Sequence, residues 1–208
     1  MSMNVSQADM QGMMNRLMRL ARLDTTVFDE VRLDAAATIP SVVVAAASIF
    51  LMGVGGWLWW MIGSDFDEGS GDIFIKSTIM GSVFAMALWV AWVFIVYVLL
   101  TQVFRAQADV QQLVRTMGLA TVPLALSVFM LIPMLGFGIG VAALALTFSL
   151  TTMAIQAATN ASPAQSLVAN IAGFAVWAVV LAILAGDMRG DPSAYTPGVF
   201  IFGMFGSF

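Results

Sequence analysis

Two stretches of this chain carry residue types that could do chemistry. The first is "SDFDEGSGD" (64–72), which gathers Asp65, Asp67, Glu68 and Asp72. An Asp-x-Asp start is how a calcium loop begins, because carboxylate and carbonyl oxygens suit a hard cation. The pattern goes no further. Gly69 holds the fifth position, and Lys76 stands at the twelfth, where a bidentate Glu would close the loop. Acid–base work by paired carboxylates needs an enclosed site to shift a pKa, and a short loop between apolar runs provides none. A solvated loop without metal is expected, with Asp72 pairing to Lys76 one turn into the next helix.

The second stretch is "TFSLTTMAIQAATN", with Thr147, Ser149, Thr151, Thr152 and Gln156. Inside a bilayer such groups bond to their own backbone or to a neighbouring helix. A transport path calls instead for ionisable groups or a broken helix at mid-membrane. On the sequence, spans three to five hold no ionisable group, and Pro123 and Pro133 fall near span ends. Helix packing is therefore expected. The chain has no His and no Cys, which excludes disulfides, thiolate metal sites, Cys nucleophiles and every His-based catalytic arrangement. The expectation is a protein that is not an enzyme, with no catalytic residue, metal or cofactor.

These side chains must be positioned by membrane-spanning helices. Of 208 residues, 61% are hydrophobic and 10% charged, against roughly 25% charged in soluble domains. Residues 116–186 contain no Asp, Glu, Lys or Arg. The predicted fold class is all-α: a polytopic membrane protein with a bundle of five transmembrane helices, preceded by N-terminal amphipathic interfacial helices. A span needs roughly 20 apolar residues, which places them at 37–62, 76–103, 117–134, 138–158 and 165–186. The organisation is then a 1–35 interfacial region, a 36–186 transmembrane domain and a 187–208 tail. Trp57, Trp59 and Trp60 close the first span as interfacial aromatics. "PMLGFGIG" reads as a tight turn between spans three and four, and Ser162-Pro163 as the N-cap and first position of span five. Gly53, Gly55 and Gly56 permit close helix approach.

Arg16, Arg19, Arg22, Arg32, Arg105 and Arg115 share one side in a five-span topology, against Lys76 and Arg189 on the other. The positive-inside rule then places the N-terminus in the cytoplasm and the C-terminus outside, in a membrane of the bacterial cytoplasmic (inner) type.

On a helical wheel, Met10, Met13, Met14, Leu17, Met18, Leu20 and Ala21 fall in one arc, opposite Gln11, Gly12, Asn15, Arg16, Arg19 and Arg22. Gly12 favours a helix that starts after it. The basic face is suited to anionic headgroups. Thr26 to Asp29 approximates a capping box opening a second short helix, Val27 to about Leu33, with Phe28 and Val31 on one side. A cleaved signal peptide does not fit, because the following apolar run is too long. The segment serves either as a surface anchor or as a docking face built from Met10, Met14, Arg16, Leu17, Arg19, Arg22, Phe28, Glu30 and Arg32. Of the two, an anchor is favoured, since such helices are common in membrane proteins.

With "TTVFDEVRLDAAATIPSVVVAAA" (25–47) and the run from "LVRTMGLATVPLALSVF" to "SLVANIAG" (113–173), the chain resembles the bacterial form of the Ypt-interacting-protein (Yip) family of five-span membrane proteins. Phe28, Glu30, Val31 and Arg32 occupy the segment that precedes the first span in that family. Gly118 and Pro123 match its Gly-Tyr-x-x-x-Pro element, with Leu119 in place of the tyrosine. The resemblance implies five spans and no catalytic residue; eukaryotic relatives bind Rab-type GTPases and shape or traffic membranes. The functions weighed are a non-enzymatic membrane organiser or scaffold of the Yip type, an accessory subunit of a respiratory or photosynthetic complex, and a small transporter or channel. The expected partners are the lipid bilayer and other membrane proteins or a second copy, with no nucleic acid and no identified small-molecule substrate.

Overall fold

The computed structural model describes residues 7–63, 74–132 and 134–186. The acidic stretch at 64–72, Pro133 and the 187–208 tail lie outside the described residues. Two short helices, α1 (Gln7–Ala21) and α2 (Val27–Leu33), precede five long apolar elements. Span one is α3 (Thr38–Gly63). Span two is α4 (Gly81–Val98), with a π-helical turn at each end, Phe74–Met80 and Leu99–Val103. Span three is α5 (Val110–Ala120) continued by a 3-10 segment, Val122–Leu131. Spans four and five are α6 (Gly136–Ala158) and α7 (Pro163–Gly186). Among the described residues there is no strand, and five elements are long and apolar enough to cross a membrane. The protein is a polytopic integral membrane protein in contact with lipid.

Spans one, two, four and five each carry a buried seam at intervals of three and four, rich in small or polar residues in α3 and α6 and holding two tryptophans in α4. In α3 the buried seam is Ser41, Ala45, Ser48, Met52 and Gly55; in α6 it is Gly136, Gly140, Ala143, Thr147, Leu150 and Ala154. In α4 it is Ser82, Ala85, Trp89, Trp92 and Val96; in α7, Ser166, Asn170, Gly173, Trp177 and Leu181. Apolar contrast cannot drive helices together in lipid, so close packing of small residues must do it. A Cβ on Gly55 would strike the Ser127 carbonyl of the 3-10 segment, so that glycine serves packing inside the bundle.

Span three differs from the expected one. It begins at Val110 rather than 117, and it is the most enclosed element, 67% buried where the other spans are 33–39%. It packs against α2, α3, α4 and α6. It is also broken in mid-course, which the position assigned to Pro123 did not foresee. Pro123 has no N–H to bond the carbonyl four residues back. That carbonyl, Leu119's, is met instead by the Thr121 N–H. The Thr121 Oγ1 donates to the Gly118 carbonyl at 2.7 Å, and the Thr121 carbonyl accepts from the Leu124 N–H at 2.9 Å. The chain then continues in the narrower 3-10 form for ten residues, much longer than the three or four usual for that conformation.

Smaller differences concern helix ends. Helix α1 runs through Gly12 from Gln7, with nothing near the Gly12 α-carbon to exploit its lack of a side chain. Thr26 does not cap α2 through its side chain; instead Asp24 accepts from both the Thr26 N–H and its hydroxyl. The cap of α7 is stronger than expected, a reciprocal box in which Ser162 Oγ accepts from Gln165 N–H and Gln165 Oε1 accepts from Ser162 N–H.

Candidate functional site

Most of the ion pairs and a buried arginine gather at the end of the bundle carrying α1 and α2, joined there by the connection between spans two and three and the turn between spans four and five. The buried hydroxyls of Ser41, Ser82, Ser127, Thr147 and Ser166 and the Trp89 Nε1, all within the spans, have no hydrogen-bond partner among the described residues. Helix α1 docks on this end. Met13 and Leu20 are buried, with Leu17 beside them, in a cluster with Val27, Phe28 and Val31 of α2 and Leu119, Ala120, Leu150 and Ala154 of the bundle. The other edge of its apolar arc faces outward, with Met14 57% and Met18 50% exposed. The arc on the wheel therefore divides between protein and surroundings, because α2 fills one side of it.

Two of the three arginines on the polar arc, Arg16 and Arg19, are paired within the protein. Arg16 Nη2 donates to Asp34 at 2.7 Å. Arg19 bonds Asp24 at 2.8 Å, both Glu30 oxygens at 2.8 and 2.9 Å, and the Thr26 hydroxyl. The Arg19 guanidinium is raised above its ordinary pKa, chiefly by the Glu30 bond and then by Asp24. Asp24 is held below the usual carboxylate range by Thr26 first and then Arg19, and Asp34 chiefly by Arg16. A wheel drawn on α1 alone could not register acids supplied by the next turn and helix. Arg22 is exposed and has no ion-pair partner among the described residues.

Behind this cap lies the charge that the sequence placed outside the membrane. Arg115 sits inside span three and is only 6% exposed. Its Nε donates to Thr38 Oγ1 at 2.7 Å, Nη1 to the Arg32 carbonyl at 2.8 Å and Nη2 to Gln111 Oε1 at 3.2 Å. Thr38 Oγ1 in turn donates to the Ala35 carbonyl. One guanidinium thus ties the C-terminus of α2, the start of span one and the first turns of span three together. The expectation of no ionisable group in that span fails because burial is supplied by neighbouring helices rather than by lipid. The signal was present: Asp109, with Gln112 three residues on, marks a helix start ahead of Arg115, and the Asp109 side chain does accept from the Gln112 N–H at 2.9 Å.

Next to this joint an open cleft of ≈ 360 Å³ is lined by Arg32, Gln107, Asp109, Gln112, Thr159 and Asn160, with Ala108 and Ala158. It falls in the lower part of the roughly 300–1,000 Å³ typical of small-ligand sites. Its floor is held by Asn160 Oδ1, which accepts from the Gln107 N–H, and by an isolated antiparallel bridge between Ala108 and Thr159.

Deeper in the membrane, Asn170 of α7 is fully buried. It accepts from Trp92 Nε1 at 3.1 Å and donates to Thr151 Oγ1, Thr152 Oγ1 and the Phe148 carbonyl at 2.8–3.0 Å. Trp92 lies directly over Gly173. The hydroxyls of Thr151, Thr152 and Ser149 each bond backbone carbonyls one turn earlier, as expected for packing, whereas the buried Thr147 hydroxyl departs from that expectation and has no hydrogen-bond partner among the described residues. A lone amide that joins three spans had no periodic signal in the sequence.

The docking residues named from the sequence separate into distinct roles. Met14 is displayed; Arg16, Arg19 and Glu30 are tied in ion pairs; Arg32 lines the cleft 3.3 Å from Asp29; Leu17 packs inward; Phe28 is 1% exposed and belongs to the core rather than to a surface. Met10 lies within α1, its side chain outside the described set. Gly118 presses against the Ser41 backbone of span one, and Pro123 begins the 3-10 segment. Among the described residues no group of three or more His, Cys, Asp or Glu could hold a metal ion. Compared with known proteins, the chain matches no family profile, no curated protein and no solved structure.

Proposed function

We propose that this membrane protein is a non-enzymatic organiser of the Yip type, working through helix packing with lipid and with partner membrane proteins, in a bacterial cytoplasmic membrane with its helix cap on the cytoplasmic side. The observation that carries this proposal is the convergence of the family-pattern residues on one joint. Phe28 packs on Leu119, the Arg32 carbonyl receives Arg115, Gly118 abuts Ser41, and Pro123 turns span three into its 3-10 half. The joint holds α1 and α2 in a fixed pose and leaves Met14 and Met18 as an adaptable apolar face. Sidedness rests on the Arg distribution, six on the cap side against Lys76 and Arg189.

A buried cation and a broken helix are also what a transporter would use. Here every Arg115 nitrogen is engaged by a neutral protein acceptor, and Thr121 bonds the Gly118 carbonyl at the break. Both features are consumed in packing, which favours the scaffold. The test is a photo-crosslinking residue placed at Met14, at Met18 or at the lipid-facing Val90, irradiated in native membranes. Discrete protein adducts at the two cap positions and lipid adducts at Val90 are expected. If Met14 and Met18 give only lipid adducts, the cap is an anchor and docking is ruled out.

A further inference from the structure

The cleft beside the cap holds more hydrogen-bonding capacity than the protein uses. Asp109 spends one oxygen on the Gln112 N–H and has no partner for the other. Asn160 spends Oδ1 on the Gln107 N–H, which leaves its NH₂ group without a partner. The side-chain amides of Gln107 and Gln112 and the terminal nitrogens of Arg32 have no protein partner among the described residues; Arg32 meets Asp29 only through Nε, at 3.3 Å and outside hydrogen-bond geometry. The free set is therefore the two terminal nitrogens of Arg32, the side-chain amides of Gln107 and Gln112, the Asn160 NH₂ and one Asp109 oxygen around ≈ 360 Å³.

The two charges on the lining constrain the ligand. A bare anion would be repelled by Asp109, and a bare cation by Arg32. A group with both charges, an anionic part rich in acceptors and a cationic part able to donate, satisfies the lining. Depth narrows it further. Span three begins at Val110 and span four ends at Ala158, so residues 107–112 and 158–160 stand where hydrocarbon gives way to headgroups.

We propose that this cleft seats a phosphoethanolamine headgroup, its phosphate on Arg32 and the amides of Gln107, Gln112 and Asn160, its ammonium on Asp109. An ammonium with N–H bonds can donate to Asp109, whereas a trimethylammonium cannot, so ethanolamine is selected over choline. A glycerol headgroup has no cation to offer. The same chemistry could arrive on a bilayer lipid or on a soluble phosphoethanolamine ester.

Full-length protein in detergent micelles doped with equal amounts of phosphatidylethanolamine, phosphatidylcholine and phosphatidylglycerol, read by native mass spectrometry, tests this directly. The wild type should retain one phosphatidylethanolamine about tenfold over the other two, as one charge-assisted contact implies. Arg32→Gln should lose that retention. Asp109→Asn keeps a side chain able to cap α5, and should hold phosphatidylethanolamine and phosphatidylcholine alike. Millimolar glycerophosphoethanolamine added as competitor identifies the source: displacement of the lipid marks a soluble ester as sufficient, and its failure marks the bilayer lipid. Equal retention of the three lipids by the wild type, or a full preference surviving in both variants that still bind α1 and α2 to the bundle, overturns the proposal. The crosslinks at Met14 and Met18 do not depend on it.

Discussion

Arg115→Met removes the guanidinium and keeps a long apolar stem in the same channel. Two of its bonds, to Thr38 and to the Arg32 carbonyl, are short and charge-assisted; such bonds contribute about 1.5–3 kcal/mol each. Against this, a buried charge carries a desolvation penalty that the variant relieves. The net loss is then close to one bond, about 2–3 kcal/mol. It falls on the joint rather than on the whole bundle, because the lost partners are the end of α2 and the start of span one. A local opening 2–3 kcal/mol easier is roughly 30- to 150-fold more populated. Amide hydrogen exchange in detergent reads this at Phe28, Val31 and Asp34, whose N–H groups bond Thr25, the α2 interior and Val31. Exchange there should accelerate by that factor, while amides of α6 and α7 keep wild-type rates. Thr38→Val should reproduce about half of the effect in logarithm. If protection at the cap is unchanged in both variants, Arg115 does not hold it and the latch is wrong. If all spans lose protection together, Arg115 supports the whole fold instead.

Two further outcomes follow from contacts and charges. Gly173→Ala should destabilise by about 1–3 kcal/mol, since the added carbon meets the Trp92 ring and backbone carbonyl and pushes Trp92 Nε1 from Asn170; Gly12→Ala, with open space around it, should instead stabilise α1 by up to about 1 kcal/mol; denaturant titration of the two variants followed by tryptophan fluorescence separates them. The pairing of Asp34 with Arg16 holds its carboxyl below the ordinary value, so the folded cap binds fewer protons than the unfolded one. Its contribution is complete above a pH of about 4 and disappears as pH falls through the lowered value. Exchange protection of α1 should therefore decline on acidification below about pH 4, and Asp34→Asn should flatten that decline.

Much of this architecture was legible one residue at a time. Length and apolarity of a run decide whether it can lie in hydrocarbon, and the five runs are spans because a bilayer is a uniform solvent that each segment meets alone. The Ser162-Pro163 start of α7 was readable because its cap is local, and the second short helix, Val27–Leu33, was placed correctly although its expected Thr26 cap does not form. What depended on a neighbour was not readable. Arg115 marks an outer end when each segment is weighed by its own hydropathy, and becomes an interior latch once Thr38 and the Arg32 carbonyl surround it. The arginines of α1 present a basic face on a wheel and close into ion pairs when Asp24, Glu30 and Asp34 fold back on them. Pro123 forbids one backbone bond wherever it stands, but whether a span ends or carries on past it depends on Thr121 and the packing around it. Single-residue preferences thus settled which segments enter the membrane. The pairing of polar groups across segments, which only the tertiary structure brings together, settled where the bundle is latched, broken and left open.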